Sequence, residues 1–103
     1  MTEKAYLVPV WTDTRLRYLH RTEQGRVVEF MLQLEIDVQG TWRPAVRYDT
    51  AHGFAHIDRF TLTGKRTKER LSLDYGEALT RAERDLKQNW FAYRERFLKG
   101  ELP

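Results

Sequence analysis

Residues 26–38 read RVVEFMLQLEIDV. Val28, Phe30, Leu32, Leu34, Ile36 and Val38 alternate with Glu29, Met31, Gln33, Glu35 and Asp37. A period of two sustained from Val28 to Val38 describes a strand with one apolar, buried face and one mostly wet face. A strand this long needs partners, and both flanks supply them. Downstream, Gly40 turns the chain into TWRPAVRY (41–48), where Trp42, Val46 and Tyr48 continue on one face. Pro44 has no N–H to donate, so that strand is an edge or is interrupted there. Upstream, TRLRYLHR (14–21) sets Leu16, Tyr18 and His20 against Arg15 and Arg17, and Gly25 marks the intervening hairpin turn. AYLVPVW (5–11) reads as a short first strand, and FAHIDRFTLT (54–63) and RLSL (70–73), joined around Gly64, as a further hairpin.

From residue 75 the period changes. Asp74 followed by Glu77 has the form of a capping box. Leu79, Ala82, Leu86, Trp90, Tyr93 and Phe97 then recur at steps of three and four, one apolar stripe on a helix. Gly100 after Lys99 suits a left-handed C-cap next to a favourable charge. The expected architecture is α+β: an antiparallel meander of five or six strands within residues 5–73, one face covered by a helix over 75–99, all in a single domain 1–103. Trp90 is expected to pack on the even-numbered residues of the 28–38 strand. Phe91 and Leu98 fall off the stripe: they are either isolated exposed apolar residues, which are ordinary, or the contact of a homodimer or a protein partner.

Composition narrows the functional classes. The chain has 103 residues, no cysteine and a formal net charge of +3. Disulfides and thiolate chemistry are excluded. The N-terminus lacks a signal-peptide layout and no apolar run is long enough to span a bilayer, so a cytoplasmic protein with no membrane partner is expected. The Walker phosphate loop, the dinucleotide glycine motif and the serine nucleophile elbow are all absent. Basic charge concentrates locally: Arg59, Lys65, Arg66, Lys68 and Arg70 are opposed there only by Glu69. Such a patch attracts phosphate, and it also keeps an exposed edge strand from aggregating.

One stretch carries chemistry. Residues 46–60, VRYDTAHGFAHIDRF, hold two of the chain's three histidines. Read as a strand, residues 52–60 place His52, Phe54, His56, Asp58 and Phe60 on one face. His52 and His56 are then acid/base candidates, with Asp49 and Asp58 orienting them, and Arg47, Arg59, Lys65 and Arg66 holding phosphate. No cofactor is demanded. A divalent metal is admitted, with His52, His56 and Asp58 as ligands and Asp49 a fourth if the turn returns it. The competing reading is a tight connection: Asp49 and Thr50 initiate a turn and Gly53 supplies positive φ.

RYDTAHGFAHIDRF together with NWFAYRERFL resembles a family of short, uncharacterised prokaryotic proteins. In that family a D-T-A-H-G segment follows a strand and a Y-R-x-R-F helix ends the chain; the similarity spans roughly residues 26–99. More distantly, the D-T-A-H segment followed closely by histidine and aspartate looks like the small TumE-type toxins of toxin–antitoxin pairs. That resemblance implies function at Asp49, His52, His56 and Asp58, action on RNA or another phosphate-bearing partner, and an antitoxin-like protein partner. The alternative is a non-enzymatic interaction protein, either a homodimer or the partner of a neighbouring gene product.

Overall fold

The alternating segment becomes the third of six strands. A computed structural model describes residues 1–103 as β1 (Thr2–Trp11), β2 (Thr14–Glu23), β3 (Arg26–Val38), β4 (Thr41–Asp49), β5 (His56–Phe60), β6 (Arg66–Arg70) and α1 (Tyr75–Leu98). The strands form one sheet in chain order, every neighbouring pair antiparallel. Gln39 and Gly40, at φ 54° and 86°, make the two-residue turn after β3 whose positive φ values match the twist of a hairpin. Asp74 Oδ1 accepts from the Glu77 N–H at 2.8 Å and starts α1. At its other end Gly100, at φ 81°, lets the Glu101 N–H reach back to the Arg96 carbonyl at 2.9 Å, the Schellman closure.

The helix lies on β3 and β4. Ala78, Ala82, Leu86 and Phe97 are buried with Leu32, Leu34 and Ile36 of β3 and Val46 and Tyr48 of β4 in one apolar cluster. Polar bonds fix the docking. The Tyr48 and Tyr93 hydroxyls both donate to Asp85, at 2.5 and 2.6 Å. Burial and the neighbouring Asp85 carboxylate raise Tyr93 to about 12. Arg94 pairs with Asp13, in the β1–β2 turn, at 2.7 Å.

Several expectations are revised by the geometry. Trp90 is only half-buried and stacks on Trp11, itself 61% exposed, at 6.4 Å between ring centroids. Trp90 packs against the core cluster from its margin, while Ala78, Ala82, Leu86 and Phe97 are the helix residues buried within it. The first strand has ten residues despite Pro9, because β1 is the sheet edge, where a missing N–H costs little. Pro44 coincides with a register shift opposite Leu34 and Glu35. β6 is RTKER, exposed throughout; it lies before RLSL because a wholly exposed edge strand has no apolar alternation to read. Phe91 and Leu98 are exposed, as their angular position requires.

The face of β3 expected to be wet is not open to water at its centre. Gln33 and Glu35 are buried there. Glu35 accepts from Arg15 at 2.7 Å, Arg17 at 2.8 Å and Gln33 at 2.5 Å, and Gln33 accepts from Arg47 at 2.5 Å. Burial alone would raise the Glu35 carboxyl, but the hydrogen bonds from Arg17, Arg15 and Gln33 outweigh it and hold the group below its ordinary 4.5. The stability Glu35 contributes is therefore fully present above that value and is lost as pH falls through its lower folded value. Thermal melts from pH 7 to pH 3 are expected to show this acid limb flattened in Glu35→Gln. At pH 7 that variant loses about 1–3 kcal/mol, from arginine donors left without their charged acceptor. An unchanged acid limb would remove Glu35 as its source.

Candidate metal centre

Alternation decides what meets on the sheet face opposite α1. Leu32 pairs with Tyr48 and Tyr48 with Ile57, all under the helix. Their neighbours Asp49 and His56, which are paired, and Arg47 and Asp58, also paired, point the other way. Between β4 and β5 the chain does not stay extended. Ala51 N–H bonds Asp49 Oδ1 at 3.0 Å, Gly53 N–H bonds the Thr50 carbonyl at 3.2 Å, and Gly53 sits at φ 82°. Residues 50–55 thus form a tight loop, and β5 begins at His56 instead of at His52. Thr50 anchors the loop, its Oγ1 accepting from the Phe30 N–H at 3.1 Å.

The loop closes over His56, which is 1% exposed. The rings of His52 and Phe54 each lie 5.6 Å from its ring, centroid to centroid. Nδ1 of His56 stands 3.3 Å from the Phe54 carbonyl. Nε2 faces Asp49 Oδ1 at 2.7 Å and Asp58 Oδ2 at 3.6 Å. Asp58 is 2% exposed, and its Oδ1 has no hydrogen-bond partner. A buried carboxylate oxygen without a partner is costly and uncommon.

Two arrangements account for this geometry: a proton on Nε2 donated to Asp49, or a cation shared by all three groups. One ligand atom from each of Asp49, His56 and Asp58 lies within 4.8 Å of the others. Ligand atoms about 2.1 Å from one ion lie roughly 3 Å apart, so the carboxylates would have to swing inward by about 1–2 Å to close on a metal. The backbone carbonyl on Nδ1 is the usual outer partner that fixes a ligating histidine. One imidazole and two carboxylates suit Zn²⁺, Mn²⁺ or Fe²⁺. The buried group could hold a metal ion.

The candidates from the sequence divide by position. His56, Asp49 and Asp58 come together. His52 stacks over them from the exposed loop and joins no hydrogen bond of the group. Arg47 and Arg66 share the face opposite α1, over the Phe60 ring at 5.2 and 6.0 Å. Arg59 does not: it pairs with Val46 in register, on the helix side, and bonds Glu69 at 3.5 Å. Lys65 sits at the exposed β5–β6 turn. Residues not anticipated are Phe54 as a cover, and the Arg15–Arg17–Glu35 cluster two strands away. Their signal was present as the alternation of Arg15 and Arg17 with Leu16 and Tyr18, which assigns them to a shared face but says nothing of its neighbours.

No curated protein and no solved structure matches the chain. A family model does, over residues 1–102. By that match the chain belongs to the family described as Domain of unknown function (DUF7718).

Proposed function

We propose that this chain is a toxin–antitoxin-type protein that breaks phosphodiester bonds in RNA at a divalent cation held by Asp49, His56 and Asp58. The observation that carries the reading is Asp58: a carboxylate at 2% exposure, Oδ1 unpartnered, turned toward the Nε2 of a histidine already hydrogen-bonded to a second carboxylate. With no cation present the two carboxylates offer a phosphoryl oxygen no electrophile at the centre. A divalent ion held by Asp49, His56 and Asp58 would supply Lewis-acid chemistry there. The resemblance of the D-T-A-H segment to TumE-type toxins supports the biological setting.

The chain's own groups have assignable tasks. Arg47 and Lys68, in register on either side of Asp58, hold the phosphate. His52, exposed and stacked on the ligand histidine, moves the proton. An oxygen nucleophile, from water or from the RNA 2′-hydroxyl, bonds to phosphorus while one ester P–O bond breaks. The nucleophile's proton passes to His52 and the departing oxygen takes one from water.

The test is cleavage of end-labelled RNA by purified protein in Mn²⁺ and in a chelator, with induced expression in a bacterial host alongside. Metal-dependent cleavage and growth arrest are expected. RNA left intact under both conditions, with normal growth, would contradict the reading. In its place would stand an interaction protein using the exposed Trp11, Phe91 and Leu98 surface.

A further inference from the structure

The sheet face opposite α1 carries more cationic charge than the candidate centre needs. One cross-strand row runs Lys68, Asp58, Arg47, Gln33, Arg17 from β6 to β2. The rows beside it add Arg70 next to His56, Arg66 next to Phe60, and Arg15 next to Glu35. Arg47, Arg66, Lys68 and Arg70 have no carboxylate within ion-pair distance, and Arg15 and Arg17 share a single one, Glu35.

Aromatic rings are interleaved with these cations. Arg70 lies over Phe54 at 4.7 Å, Arg47 and Arg66 over Phe60 at 5.2 and 6.0 Å, and Arg15 over Trp42 at 3.9 Å. Every cation–π pair in the molecule is on this face. A guanidinium resting flat on a ring keeps its N–H edge free for an acceptor. Guanidinium planes carried on half-buried rings give unpaired bases stacking surfaces, and the cations beside them meet phosphates, the combination a single-stranded nucleic acid uses. An A-form duplex offers no exposed base faces and would leave the rings without partners.

We infer that single-stranded RNA lies across the strands of this face, from the Arg66–Lys68–Arg70 edge over the Asp49–His56–Asp58 centre to Arg17 and Arg15. This deepens, and rests on, the phosphodiester reading by naming the form of the substrate and its path. Four strand spacings separate β6 from β2, roughly 19 Å at about 4.8 Å each. A dinucleotide bound at the centre cannot reach both ends of such a track, whereas an octamer can.

The test measures binding without cleavage: fluorescence anisotropy of labelled oligouridine of two, four and eight nucleotides, and of an eight-base-pair RNA duplex, in chelator across 50–200 mM salt. The octamer is expected to bind at least tenfold tighter than the dinucleotide or the duplex. Lys68→Glu and Arg17→Gln, four strands apart, should each weaken octamer binding about tenfold and lower its salt slope by about one. Arg17→Gln keeps a donor for Glu35, and Arg66→Glu at an exposed edge position serves as a second variant whose folding is not in question. Phe60→Ala should weaken the octamer at least fivefold. Equal affinity for duplex and single strand would overturn the inference, as would a silent Arg17→Gln beside a sensitive Lys68→Glu, or no salt-dependent binding at all. Cleavage with no such footprint refutes the track and leaves the catalytic reading intact. Binding along the track without cleavage does the reverse.

Discussion

Replacing Phe97 by alanine is expected to lower stability by about 3–5 kcal/mol, the usual cost of emptying a fully buried aromatic site. Domains of this size are stable by only about 5–15 kcal/mol, so the variant should melt far below the wild type or fail to fold at 37 °C. Phe97 is 1% exposed and is the last large residue the helix sets into the apolar cluster. Trp90→Ala makes the internal comparison. Its ring is half-buried against Trp11 near the sheet edge, so its loss should be smaller than that of Phe97. Thermal or urea denaturation of the two variants ranks them. The opposite ranking would place the centre of helix docking at Trp90 and refute the packing described.

His56→Gln is expected to reduce RNA cleavage about 10²–10⁴-fold, the range removed with a residue central to proton or charge handling. Glutamine keeps a polar side chain at the site but cannot offer both Nδ1–H to Phe54 and Nε2 to an ion. Two buried carboxylates, Asp49 and Asp58, would then face each other without a cation, so some stability is lost as well. His52→Gln separates the two roles. It lies in the exposed loop, so it should slow cleavage while leaving melting nearly unchanged. If His56→Gln melts like the wild type and cleaves RNA at the wild-type rate, the centre has no catalytic part.

The fold was legible wherever one face of an element is apolar and the other wet. β3 and α1 announce themselves because their burial is one-sided, and the hairpin turns at Gly25 and Gly40 follow from the same alternation. β6 was misplaced because all its residues are exposed, so no hydrophobic period exists to mark it. The edge strand β1 extends further than its apolar residues because backbone pairing with β2, from Thr2 to Trp11, carries it. Burial of Gln33 and Glu35 was illegible for a different reason. It depends on arginines from β2 and β4 converging on one carboxylate, a property of neighbouring strands and not of β3 itself.

The candidate centre shows the same limit. A continuous strand through residues 52–60 would align His52 with His56 and Asp58. The turn at Gly53 breaks that strand, lifts His52 into the loop, and leaves register to select Asp49 as the partner of His56. Arg59 was grouped with the site by proximity in sequence, but strand alternation sends it to the helix side, where it meets Glu69. Residue types pointed to one fifteen-residue stretch; only pairing register decides which of its residues meet.

Calorimetric titration of Mn²⁺ or Zn²⁺ into metal-free protein tests the central claim most directly, because it needs neither RNA nor a host. One saturable ion per chain is expected for the wild type and none for His56→Gln or Asp58→Asn. At about a hundredfold excess over its dissociation constant, that ion should also add about 2.7 kcal/mol of stability. Absence of stoichiometric binding in the wild type, or binding that persists undiminished in both variants, would contradict that claim.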